Sequence, residues 1–164
     1  MTKPDIITRY AEAFAALSPD NMASLMATVS PKIRFTDPFN DVHGREGFRA
    51  IFDHMFATCE APRFHIIDIA RPADGAGDRA YLRWRMSGRI KGWPHTSLDL
   101  EGMSEIHVGS DGLVSLHIDH WDKRFVTDTP YGEAKNYPMD WSNTRSDILV
   151  VAGDISDNID NSVK

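Results

Sequence analysis

Apolar residues fall at helical spacing at the start of the chain and at period two further along. Ile6, Ile7, Tyr10, Ala11, Phe14 and Leu17 form one stripe, which predicts an amphipathic helix over residues 3–17. Ser18-Pro19 reads as an N-cap followed by Pro at the first helical position. The second helix carries Met22, Leu25, Met26 and Val29 on its apolar side, and Pro31 closes it. Residues 32–37 alternate, with Ile33 and Phe35 on one side and Arg34 and Thr36 on the other. That pattern predicts a short strand ending at Asp37-Pro38. A third helix follows Gly44, with Phe48, Ile51, Phe52, Met55 and Phe56 on one face.

Beyond Pro62 the pattern is that of strands. His65 to Ala70 reads as one, closed by the turn Pro72-Ala73-Asp74-Gly75. Residues 80–90 place Ala80, Leu82, Trp84, Met86, Gly88 and Ile90 on one face, and Tyr81, Arg83, Arg85, Ser87 and Arg89 on the other. Lys91-Gly92-Trp93-Pro94 reverses the chain. Residues 97–108 alternate again, with Leu98, Leu100, Gly102, Ser104, Ile106 and Val108 opposite Asp99, Glu101, Glu105 and His107. Gly109-Ser110-Asp111-Gly112 is a hairpin signal, and the last strand runs from Leu113 to Asp122. Pairing the two long strands puts Trp84 beside Gly102, Arg85 near Glu101 and Arg89 near Asp99. One sheet face is then a charge ladder and the other is apolar, ready to be covered by the helices. The order α-α-β-α-β-β-β-β makes the expected fold class α+β, a sandwich with a largely antiparallel curved sheet.

Composition narrows the function classes. The 164 residues are 41% hydrophobic and 26% charged, as in an ordinary globular domain. A net charge of −6 argues against a nucleic-acid partner. No apolar run is long enough to span a membrane, and no h-region follows the N-terminus, so a cytoplasmic location is expected. The single cysteine, Cys59, excludes an internal disulfide and a cysteine-rich zinc site. His117 and His120 fall on opposite faces of a strand, and no metal-ligand spacing stands out among the histidines. His43 reads as a loop residue, His54 as a helix-surface residue, and Cys59 as a small core residue. Neither a metal nor a cofactor is expected. Residues 126–164 read as a partly ordered extension laid over the body of the domain, with a short strand at Ile148-Leu149-Val150-Val151 and a frayed end over residues 153–164.

The element order, together with Phe35-Thr36-Asp37-Pro38-Phe39, Val42-His43-Gly44-Arg45-Glu46, Arg9-Tyr10 and His120-Trp121, resembles the nuclear transport factor 2-like superfamily. The likeness is greatest to ketosteroid isomerases and SnoaL-like polyketide cyclases, and it covers about residues 3–125. It implies a cone-shaped α+β roll, with a curved, mostly antiparallel sheet wrapped around three N-terminal helices and a deep apolar pocket; residues 126–164 would then cover that pocket or a dimer interface. In ketosteroid isomerases the Asp of the Asp-Pro motif is the general base, which matches Asp37. The Tyr of the Arg-Tyr pair donates to the enolate oxygen, which matches Tyr10. The family's third, protonated Asp falls here at Gly102 or Ser104, and neither supplies a carboxylic acid donor. SnoaL-like cyclases use an acid on the last strands, for which Asp119 is the match.

Each of these residues carries two readings. Asp37 shares the parity of Ile33 and Phe35, so burial would raise its pKa toward a useful base; alternatively, it caps the loop before Pro38 through an Asx-turn. Tyr10 is an electrophilic donor or a core tyrosine bonded to a backbone carbonyl. Asp119 alternates with His117 and Trp121; it projects into the pocket near Gly102 or Ser104, where a Trp84–Gly102–Asp119 row would make a wall with one polar group, or a one-residue slip turns it outward.

The leading expectation is cofactor-independent acid/base catalysis (isomerisation, cyclisation or dehydration) on a small apolar carbonyl-type substrate. Asp37, Tyr10 and Asp119 are the catalytic candidates. Trp84, Met86, Leu100, Gly102, Ser104, Phe52, His117 and Trp121 are the candidates for substrate contact. The rival is a non-catalytic ligand-binding or dimerisation module of the same fold. Symmetric pairing is the commonest oligomeric mode, and the resemblance implies pairing through the outer sheet face, so a homodimer is expected. Sedimentation should give twice the 18.4 kDa chain mass at micromolar concentration, and a monomer would remove that expectation.

Overall fold

In the computed structural model residues 5–91 and 96–121 are described. The hairpin tip at 92–95, the strand expected at Ile148 to Val151 and the whole C-terminal extension lie outside them. Asp5 begins the first helix, α1 (Ile6–Ala15), by accepting from the backbone N–H groups of Ile7 and Thr8 at 2.9 and 3.2 Å. Its stripe of Ile7, Tyr10, Ala11 and Phe14 is buried.

The second helical stretch is shorter than its stripe suggests. A 3₁₀ turn at Pro19–Asn21 runs into α2 (Met22–Met26), and Val29 already belongs to the first strand, β1 (Val29–Thr36). The hydroxyl and the backbone N–H of Thr28 both donate to the carbonyl of Leu25, at 2.6 and 3.0 Å, which ends the helix. Pro31 therefore sits inside a strand and closes no helix. It falls in the stretch between Val29 and Arg34 where the ladder to the neighbouring strand is interrupted, so its missing N–H breaks no regular pairing.

A three-residue strand, β2 (Asp41–His43), follows, which the periodicity does not reveal. It leads into α3 (Gly44–Thr58), which Gly44 enters at φ +77°. The next strand, β3 (Cys59–Ala70), begins directly at the end of α3, six residues before the expected His65. Pro62 looked like a separator because it occupies a bulge between Glu60 and Arg63, beside Ala61 at φ +46°. Three further strands complete the sheet: β4 (Arg79–Ile90), β5 (Thr96–Val108) and β6 (Val114–Trp121).

The sheet order is β2-β1-β6-β5-β4-β3, with β1 parallel to β6 and every other pair antiparallel. This is the mostly antiparallel α+β architecture expected, with α1 and α3 over the inner face. Trp84 lies opposite Gly102 and Arg85 opposite Glu101, as the pairing argument places them. Arg89 differs: it faces Ser97 and reaches across to Glu60 on β3 at 2.6 Å, while Arg85 takes Asp99 and Arg83 takes Glu101 at 3.2 Å. These pairs are exposed and each contributes only about 0–1 kcal/mol, so they mark the outer face more than they stabilise it.

The inner face holds Ala80, Leu82, Trp84, Leu100, Ile106 and Val114, all buried. Gly102 is required there by close approach: a Cβ at that position would lie 2.4 Å from the Trp84 ring. Gly102→Ala should therefore destabilise the protein by about 1–3 kcal/mol, because the ring must leave its rotamer or the strands must part. Gly77, with nothing within 4 Å of its would-be Cβ, is the control. Urea unfolding of both variants measures the difference.

Candidate active site

A cavity of about 300 Å³ opens between α3 and the inner face of the sheet. Its wall is mostly rings and aliphatic groups: Phe14, Phe35, Phe52, Phe64, Trp84 and Trp121, with Met55, Met86, Leu98 and Leu100. The polar side chains among the lining are few: Asp37, Asn40, His54, Thr58, Cys59 and Asp119. No lysine or arginine is among the described lining residues. Among the described residues no group of three or more His, Cys, Asp or Glu could hold a metal ion, and no helix is long and apolar enough to cross a membrane.

Asp37 directly follows β1 and does both things that its sequence position allowed. Its carboxylate accepts from the backbone N–H of Phe39 at 2.7 Å and of Asn40 at 2.6 Å, and from the Asn40 side-chain amide at 2.9 Å. It is thus an Asx-type cap of the loop 37–40, and it also lines the cavity. Burial in this apolar wall raises its pKa to about 6; the donors of Asn40 and Phe39 oppose the shift, and the charge of Asp119 adds to it.

Asp119 comes from β6 and also lines the cavity. Its Oδ1 accepts from the Ser104 hydroxyl at 2.5 Å and is 2.7 Å from His117 Nε2. The Ser104 oxygen in turn accepts from the Trp84 indole N–H at 2.8 Å. His117 Nδ1 lies 2.6 Å from the Tyr10 hydroxyl. A continuous buried chain thus runs from Trp84 through Ser104, Asp119 and His117 to Tyr10.

The candidates named from the sequence divide on this geometry. Asp37, Asp119, Phe52, Trp84, Met86, Leu100 and Trp121 line the cavity. Tyr10, His117, Gly102 and Ser104 are not among its lining residues. Tyr10 is fully buried and its hydroxyl is taken by His117, not by a backbone carbonyl and not by the cavity. Burial first, and the Asp119 charge second, push the phenol well above its ordinary pKa, so it stays protonated. His117 is 2% exposed, packed against Phe35 and Phe14 with ring centroids 4.8 and 5.5 Å away. Gly102 and Ser104 stand behind the wall, one making room for Trp84 and the other tying it to Asp119. Of the two neighbours that the sequence left open for Asp119, the register selects Ser104; Gly102 faces Trp121, so no Trp84–Gly102–Asp119 row forms.

His54 is the residue that the sequence reading misplaced. It lines the cavity from α3, and burial lowers its pKa. It belongs to the same helix turn as Ile51 and Met55, and this i, i+3 relation to an apolar stripe was the available signal. Cys59 also lines the cavity, with its thiol pKa raised by burial, as befits a packing residue and not a thiolate.

The SnoaL-like domain model matches residues 7–117, and the chain belongs to that family. Its architecture is shared by solved structures of low identity. A nuclear transport factor 2-like protein of unknown function from an Exiguobacterium species is 17% identical over 71% of this chain and 98% of its own, with a TM-score of 0.60. A protein from Catenulispora acidiphila with a ketosteroid isomerase-like fold, solved with trimethylamine, is 20% identical over 85% and 98%, with a TM-score of 0.59. A candidate polyketide cyclase from a Silicibacter species is 23% identical over 71% and 86%, with a TM-score of 0.56. No curated protein matches the chain.

The raised pKa of Asp37 has a consequence for stability. Its unfolded carboxyl releases its proton near 3.8, whereas the folded one holds it to about 6. Between those values the native state binds more protons, so this group's contribution to stability falls as pH rises through the window. The difference in unfolding free energy between wild type and Asp37→Asn should therefore shift in favour of the variant from about pH 4 to about pH 6. Urea unfolding at several pH values measures it, and parallel curves would contradict the shift.

Proposed function

We propose that this SnoaL-like protein is a cofactor-independent acid–base enzyme acting on a small, uncharged, largely apolar carbonyl compound. The observation that supports it is a pair of carboxylates, Asp37 and Asp119, on the wall of a cavity otherwise built of rings and aliphatic groups. One of them, Asp37, is pushed to about 6, into the range where a carboxyl serves near neutral pH. With no lysine or arginine among the described lining, an ionised carboxylate or phosphate on a ligand would meet two acids and no permanent positive charge.

Removing a proton next to a carbonyl puts negative charge on the oxygen, and a donor must meet that charge. Tyr10 is engaged elsewhere, so the donor in this reading is the acid form of Asp37. Asp119, whose Oδ1 is held by Ser104 and lies against His117, is the base. This reverses the roles that the family resemblance implies for Asp37. Pairs of carboxyls in unlike environments commonly divide labour in this way.

A suitable probe is 2-tetralone, a small aromatic ketone whose α-hydrogens can be exchanged for deuterium and followed by NMR whatever the natural product is. The protein should catalyse this exchange, and the rate should fall as pH climbs above about 6, where Asp37 loses its proton. Asp119→Asn should lower the rate by about 10²-fold or more. Asp37→Asn, whose amide still donates, should lose far less and should flatten the fall above pH 6. Exchange abolished by Asp37→Asn but retained in Asp119→Asn would exchange the two roles. Binding of 2-tetralone with no exchange would favour the ligand-binding module.

A further inference from the structure

We infer that Tyr10 fixes His117 in the Nε2–H tautomer, and that His117 and Ser104 together present Asp119 to the cavity. Tyr10 and His117 are then positioning residues, acting on a substrate that neither touches. This rests on the role of Asp119 as base proposed above.

Three proton arrangements are open to an imidazole between a phenol and a carboxylate. With the proton on Nδ1 alone, the bare lone pair of Nε2 would point at Asp119 Oδ1 only 2.7 Å away, which an ionised carboxylate does not tolerate. With both nitrogens protonated, the Tyr10 oxygen would have to accept at 2.6 Å, and its own O–H would need another acceptor. The phenol is fully buried, and His117 is its hydrogen-bond partner among the described residues, so that proton would be stranded. The third arrangement satisfies every group: Tyr10 donates to Nδ1, and Nε2–H donates to Asp119.

The same logic runs from the other side. Trp84 can only donate, so Ser104 accepts from it and passes its own proton to Asp119. Both donors reach Oδ1, and Asp119 itself lines the cavity, so Oδ2 is the oxygen presented to a substrate. Helix α1 thereby controls the aim of a carboxylate on β6. A misplacement of the order of 1 Å at a base costs on the order of a hundredfold in rate.

The test is ¹⁵N NMR of the histidine rings in the unliganded full chain at neutral pH, which needs no substrate. His117 should show a protonated Nε2 and an unprotonated Nδ1. Tyr10→Phe, which removes the donor and little volume, should move His117 toward a tautomer mixture. It should also lower kcat for 2-tetralone exchange by on the order of tenfold or more with KM unchanged. A wild-type His117 protonated at Nδ1 alone, or at both nitrogens, overturns the inference, and that spectrum decides it even if Tyr10→Phe does not fold. A folded Tyr10→Phe with an unaltered tautomer and unaltered kcat also overturns it. If the wild type exchanges nothing while His117 shows the Nε2–H form, the tether stands and the acid–base reading alone fails.

Discussion

Two carboxylates share a cavity whose other lining is almost entirely apolar, so an ionised group buried there loses hydration. That loss of hydration is the constraint on which the rest of the structure turns. A carboxylate in such a place must be met by donors or take up a proton. The protein uses both answers. Asp119 receives the hydroxyl of Ser104 and faces the ring of His117, each backed by a further residue. Asp37 receives the N–H groups of its own loop, and these do not suffice, so burial leaves it with a pKa of about 6. Two like residues thereby acquire unlike chemistry from their surroundings.

The same demand explains otherwise disconnected features of the sheet. Trp84 must lie flat along the wall for its indole N–H to reach Ser104, and the neighbouring strand gives it the space of a missing side chain at Gly102. Ser104 and His117 are buried polar groups in an apolar core, and each is bonded on both sides. The outer face follows a different rule. Its arginines and acids are solvated and exchange partners diagonally, as Arg85 does in taking Asp99 instead of the directly opposed Glu101.

Membership of the SnoaL-like family gives the chain a scaffold and not an activity. Within that scaffold the position of Tyr10 departs from what the ketosteroid isomerase likeness implies. A phenol that would face a substrate is turned onto His117, and the acid expected on β5 is replaced by Gly102 and Ser104. Asp119 and Asp37, which share the cavity wall, come from adjoining parts of the fold: β6 and the loop that follows β1.

The chain by itself determined the alternation of β4 and β5, the Trp84–Gly102 pairing, the helices on α1 and α3 and the inward parity of Asp37, because period two and period 3.6 are local consequences of backbone geometry. It did not disclose β2, the early starts of β1 and β3, or the bulges that hold Pro31 and Pro62, since a proline reads as a stop until a neighbouring strand shows that its N–H is not needed. Nor could it show that Tyr10 meets His117, or that Asp119 pairs with Ser104 and not Gly102. Those contacts join residues as many as 107 positions apart, and a two-residue shift of strand register separates Ser104 from Gly102 as the partner of Asp119. Only the assembled sheet, with β6 set between β1 and β5, brings the phenol, the imidazole and the carboxylate into one line.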